Sequence, residues 1–352
     1  MPIFLLPTVA HQRIPNGIGQ ASSNFLMLWD VETTEAGSGS LSGFLEKRAL
    51  NFEKANKGIF IIVKKLTPEQ LILQLENGYL PDMISFGLGV GDMLVSKLIP
   101  YSGTVAVRRE LAEAGELDGR QQAVAWSMGG YVLAARDEVV QEGESVLSRA
   151  LSSGQVRQNK NTYSLTLGGV NNVSLLALLN ADKTLQTGSA INPFHPNIHS
   201  QTQYEAYADF VSSVASNILL GSQRDYSRLL NREKAGSMEA CTYEFLGGFS
   251  DIVNYMGITA SDTDKHAVAV KFIEYLTSAS VQALLPSIGM FSVNGLSYHT
   301  EEGYRKYEKA LSESLKTINV FTSASRINEL KELSLSALKG QESALKALSN
   351  YC

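Results

Sequence analysis

The sequence predicts an α/β protein of two lobes, and three observations carry that prediction. Across residues 24–86, apolar strand-like runs alternate with amphipathic helical segments in the order strand, helix, strand, helix, strand. That spacing is the mark of parallel strands joined by right-handed helical crossovers. The 352 residues exceed what one hydrophobic core ordinarily serves. Finally, the run 116–136, which passes through Trp126 and a Gly129-Gly130 pair, reads as a crossover into a second domain, and from Phe245 the texture changes back.

NFLMLWDV, 24–31, reads as a buried strand ending at Trp29-Asp30, followed by the small-residue loop ETTEAGSGSLSG. The next helix puts Leu41, Phe44, Leu45, Ala49 and Phe52 on one face and closes at Asn56-Lys57-Gly58. FIIVKKL, 60–66, is a second strand. Thr67-Pro68-Glu69-Gln70 has the form of a capping box with proline at the first helical position, and Leu71, Ile72 and Leu75 supply the buried face behind it. A third strand runs from Asp82 to Phe86 and opens into small residues.

ELDGRQQAVAWSMGGYVLAAR, 116–136, is a charged turn followed by a strand-like run through Trp126. Short helices are expected at 144–152 and 172–180, and a stronger one starts at the capping box Thr202-Gln203-Tyr204-Glu205. NILLGSQRDYSRLL, 217–230, is an apolar strand, a Gly-Ser turn and a polar helix start. Helices follow near 265–277 and 279–285. The tail, 301–351, is amphipathic, with Ile327, Leu330, Leu338, Leu345 and Leu348 as core contacts.

Composition removes several functions. A net charge of −5 and a pI near 5.7 leave no broad basic surface for phosphates, so nucleic acid is not an expected partner. Cys241 and Cys352 make neither a disulfide framework nor a C-x-x-C site. No apolar run reaches the 18 residues of a membrane helix. His195 and His199 are spaced H-x-x-x-H, but Pro193 and Pro196 argue against a helix that would align them, so no metal is expected. No nucleophile elbow, H-E-x-x-H or supported carboxylate pair is present, and neither catalysis nor a cofactor is expected. The loop 36–43 spaces its glycines as G-x-G-x-x-x-G without a P-loop lysine, and reads as a flexible, ligand-facing loop.

FLEKRALNFEKANKGIFIIV (44–63), LENGYLPDMISFG (75–87), QAVAWSMGGYVLAARDEV (122–139), YEAYADFVSSVASNILLGSQRD (204–225), FLGGFSDIVNYMGI (245–258) and VKFIEYLTSASVQALLPSIGMFSV (270–293) stand in an order and spacing that cover most of residues 24–295. In these the chain resembles the extracellular solute-binding proteins of bacterial ABC importers, family 1, the sugar- and maltodextrin-binding branch. The resemblance implies a periplasmic-binding-protein-like fold of type II, with two α/β lobes, a hinge and an interlobe ligand cleft. Mapped here, lobe I is 24–124 plus 246–295, and lobe II is 125–245 plus 296–352 with the C-terminal helices. Residues 1–23 are an N-terminal extension or signal remnant, apolar but without basic residues before the apolar stretch. The family is exported, to the cell surface or periplasm, often on a lipid-modified cysteine, whereas this sequence has none before Cys241. A monomer that delivers its solute to ABC permease subunits is implied.

Ligands of open parallel sheets sit beyond the carboxyl ends of the strands. Trp29, Asp30, Ser85 and Phe86 lie at such ends, Trp126 and Ser127 on the crossover, Ser222 and Arg224 at a second-lobe strand end, and Phe249 and Ser250 in the return. Aromatic faces suit the C–H side of a pyranose and the polar groups its edge, with Arg224 fit for bidentate contact. The alternatives are core packing for each aromatic and an ion pair within lobe II for Arg224. A sugar or oligosaccharide is thus the expected solute. An anionic or phosphorylated solute on the same fold is the alternative, and a glycan-acting enzyme the next.

Overall fold

A computed structural model describes residues 24–136, 139–140, 143–152, 165–167, 173–182, 198–200, 202–212, 217–313 and 315–349. The N-terminal extension, His195 and Cys352 lie outside them.

The first three strands form as the alternation predicts: β1 (Phe25–Val31), β2 (Phe60–Leu66) and β3 (Met83–Phe86), all parallel. Helix Leu41–Ala55 starts at Ser40, whose hydroxyl accepts the Gly43 N–H, and buries Phe44, Leu45 and Phe52 against one face of the sheet. Helix Pro68–Glu76 has the predicted capping box, with Thr67 and Gln70 bonded in both directions, and buries Leu71 on the other face. A two-strand hairpin, β4 (Glu116–Leu117) and β5 (Arg120–Gln121), precedes β6 (Ala123–Met128).

β7 (Tyr131–Arg136) belongs to a second sheet with β8 (Leu165–Leu167), β9 (Ile198–Ser200), β10 (Ile218–Ser222) and β11 (Cys241–Leu246), in the order β11-β7-β10-β8-β9. The chain then returns as β12 (Val253–Ile258), inserted antiparallel between β3 and β6, so the first sheet reads β2-β1-β3-β12-β6. β6 stays in the first sheet to Met128, so the chain crosses at Gly129-Gly130, four residues beyond the expected 124/125 boundary, and crosses back between Leu246 and Val253. Helices Ala324–Leu338 and Glu342–Ser349 bury Ile327, Leu330, Leu338, Leu345 and Leu348 in the second-lobe core. Just before them, however, Val320 and Phe321 pack on the first lobe, where the Val320 N–H donates to Ala114 O at 2.9 Å. The tail therefore straddles both lobes. Among the described residues no single helix is long and apolar enough to cross a membrane.

Candidate functional site

The carboxyl ends of the two sheets face one another and are packed in direct contact. Leu88, just past β3, is 5% exposed and lies in the core of the second lobe with Tyr131 and Leu133. Around it runs a seam of buried polar groups. The Thr34 hydroxyl donates to Asn254 Oδ1 (2.9 Å), and Asn254 Nδ2 donates to the Ser127 hydroxyl (3.0 Å). The Tyr131 hydroxyl and the Val173 N–H donate to the Asp251 carboxylate at 2.7 and 3.0 Å. Ser250 donates to Gly129 O at 2.9 Å and so ties the two crossings together.

Gln223 is the centre of the seam. It is 1% exposed, accepts the Gly130 N–H on Oε1 (3.2 Å) and donates from Nε2 to Glu35 O of the first lobe (2.9 Å). A Cβ on Gly129 would meet the Gln223 amide, which would have to shift out of its bonds to make room. Beside it, Arg224 Nε meets the Glu35 carboxylate at 2.5 Å, with the Arg228 guanidinium 4.0 Å from the same oxygen. The ion pair of Arg224 therefore joins the two lobes, where the sequence suggested a partner on its own lobe.

The four aromatic candidates are core residues. Trp29 (4% exposed) and Phe86 (0%) lie in the cluster beneath helix Pro68–Glu76, Phe86 against Phe321. Trp126 is fully buried, stacked on Phe44 at 6.0 Å, and its Nε1–H donates to Ser85 (3.2 Å). Phe249 fills the second-lobe core. Asp30 and Ser85 complete an internal chain: Ser42 donates to Asp30 at 2.6 Å, so the carboxylate holds helix Leu41–Ala55 on β1. Burial pushes the Asp30 carboxyl up, and the Ser42 and Ser85 hydroxyls pull it back. Ser222 caps helix Gln223–Lys234. The loop 36–43 is anchored at its start: Gly37 abuts the Gly289 backbone and the Ser38 N–H donates to Ile288 O (2.9 Å). Of the expected site residues, Ser127, Ser222, Arg224 and Ser250 reach the seam or its crossings. Glu35, Gln223, Asp251 and Asn254 were missed; the sequence signal for Gln223 and Asp251 is adjacency to Arg224 and Ser250, and Glu35 and Asn254 carry none. Among the described residues no group of three or more His, Cys, Asp or Glu is placed to hold a metal.

Asp225 sits behind Arg224, 1% exposed, and accepts the Ser222 N–H (2.9 Å) and the Gln203 side-chain amide (2.6 Å). Burial pushes its carboxyl up to about 6, against the pull of the Ser222 N–H and of Arg224 and Arg228. A carboxyl raised in the fold binds more protons folded than unfolded between pH 4 and 6, so its contribution to stability falls as pH rises through that window. The stability difference between the native protein and Asp225→Asn, from urea unfolding, should therefore drop by about 2–3 kcal/mol from pH 4 to pH 7.5. A difference independent of pH would refute this assignment.

No protein-family model and no curated protein matches the chain. Solved structures do match. The GacH receptor of Streptomyces glaucescens, known unliganded and in complex with acarbose, aligns at a TM-score of 0.63 and 12% identity over 93% of this chain and 97% of that one. The sugar-binding protein MalE from Xanthomonas citri aligns at 0.65 and 16%, covering 93% and 96%. The maltose/maltodextrin-binding domain MalE from Bdellovibrio bacteriovorus, bound to maltotriose, aligns at 0.55 and 12%, covering 93% and 99%. With its two sheets exchanging strands at two crossings, the chain has the two-lobe, type II periplasmic-binding-protein fold that these sugar-binding proteins share.

Proposed function

We propose that this chain is a non-enzymatic solute receptor that captures a sugar or oligosaccharide between its lobes and passes it to the permease of an ABC importer. It acts outside the cytoplasm, as a monomer. The observation that carries the reading is the seam: two α/β lobes joined through short crossings, with hydrogen-bonding groups such as Gln223, Asn254 and Asp251 buried where the lobes meet. Of these, Gln223 bonds across to Glu35 O, as Arg224 and Arg228 do to the Glu35 carboxylate, so separating the lobes frees donors and acceptors of the kind that sugar hydroxyls engage, while Asn254 and Asp251 keep their partners within one lobe. A ligand bridging both lobes then favours their contact by its differential affinity.

The test is a thermal-shift screen against neutral mono- and oligosaccharides. A saccharide at about 100 times its dissociation constant adds roughly 2.7 kcal/mol and raises Tm by several degrees for a chain of this size. If no neutral saccharide raises Tm, the neutral-sugar reading fails. An anionic solute is a second reading, favoured by one feature: at the lobe junction Arg224 and Arg228 already converge on a carboxylate, that of Glu35.

A further inference from the structure

A groove of about 520 Å³ runs along the second lobe between helix Gln203–Ser212 and helix Gln223–Lys234. It lies beside the lobe junction, because Arg228, one of its lining residues, also reaches Glu35 of the first lobe. Tyr204, Tyr207 and Val211 come from the first helix at spacings that share a face, and Arg228, Asn231 and Arg232 from the second. Tyr207 is buried in a core cluster of the second lobe and Val211 packs against that cluster, half-buried.

The two tyrosines differ in what they have left to offer. Tyr207 is held: its hydroxyl accepts from Arg232 Nε at 3.2 Å and the Arg228 guanidinium lies 5.9 Å over its ring. Tyr204 is 71% exposed, an aromatic ring left open to solvent on the wall of a concavity. Arg232 forms no ion pair with a carboxylate among the described residues, and Arg228 meets Glu35 only at the 4.0 Å limit. In a protein of net charge −5, two guanidiniums one helical turn apart beside an open aromatic face are a local exception.

We propose that this groove binds an acidic saccharide through a uronate residue. The sugar ring lies by its C–H face on Tyr204, the carboxylate is held by Arg228 and Arg232, and Asn231 serves the ring hydroxyls. The contact of Glu35 with Arg224 and Arg228 shows that this end of the groove accepts a carboxylate, supplied there by the chain itself. The inference rests on the receptor reading only for the class of ligand; the site and its charge preference follow from the groove.

Isothermal titration calorimetry with trigalacturonate, neutral maltotriose and citrate tests it, using the full chain, Arg228→Gln/Arg232→Gln and Tyr204→Ala. Trigalacturonate is expected to bind the native chain. Its affinity should fall at least tenfold in the double arginine variant and severalfold in Tyr204→Ala, while any maltotriose affinity stays unchanged by the arginine substitutions. Absence of trigalacturonate binding, binding that survives both variants, or citrate bound as tightly as trigalacturonate would each overturn the proposal. The last outcome would make the groove a general anion site. Maltotriose binding without trigalacturonate binding overturns the groove and leaves the receptor reading standing. The comparison of the three probes on the native chain needs no variant to fold.

Discussion

Replacing Trp126 by alanine should destabilise the protein by about 3–5 kcal/mol, the range for removing a large aromatic from a packed core. The indole is fully buried, stacked on Phe44, and its N–H satisfies the Ser85 hydroxyl, which in turn helps hold the Asp30 carboxylate. Truncation therefore opens a cavity between β6 and helix Leu41–Ala55 and leaves Ser85 short of one donor. Equilibrium unfolding in urea reads the loss as a lower midpoint at unchanged slope. Had Trp126 lined the ligand site, the variant would keep its stability and lose saccharide affinity instead. Trp126→Phe separates the contributions further: it keeps most of the stacking area, gives up the hydrogen bond, and should cost about 1–2 kcal/mol.

Which parts of this molecule are readable from the sequence follows from how local the cause is. The capping boxes at Thr67 and Thr202 are set within four residues, and both form as read. The apolar faces of helix Leu41–Ala55 and of the C-terminal helices are likewise local periodicities, and their predicted contacts are buried. The strand ends were placed correctly, but what covers them was not. β12 enters between β3 and β6 from more than a hundred residues away, and Phe321 comes from farther still. They convert Phe86 from an exposed-looking strand-end aromatic into core, while Trp126, read on the crossover, is covered by Phe44. The same distance hid the partner of Arg224, because nothing around Glu35 marks a loop that will lie against the start of a helix in the other lobe. Polar residues fared better than aromatics for a physical reason. A Ser or Arg at a strand end must find a hydrogen-bond partner wherever the chain places it, and in this fold many such partners gather where the lobes meet.

That gathering makes Gln223 the residue whose loss should most change how the lobes relate. Its amide is fully used, with Gly130 donating to one end and Glu35 O accepting from the other, and it fills the space over Gly129. Gln223→Ala leaves the Gly130 N–H and the Glu35 carbonyl unpaired and a void beside them, at a cost of about 2–4 kcal/mol to the state in which the lobes touch. Water relieves that cost if the lobes separate, so the loss should appear as opening rather than as unfolding. Small-angle scattering would record a larger radius of gyration, with the urea midpoint lowered by less than the Trp126→Ala change. Glu35→Ala should act in the same direction but by about 1 kcal/mol, since the Glu35 carboxylate is half exposed and its pairing with Arg224 is correspondingly screened. The two effects should not add, because both act through the same loop. A saccharide that needs both lobes would bind Gln223→Ala more weakly by the factor lost to opening, about 30-fold or more. Unchanged scattering together with unchanged affinity would instead mean that the lobes form one rigid body, and a receptor that works by closing could not be built on this seam.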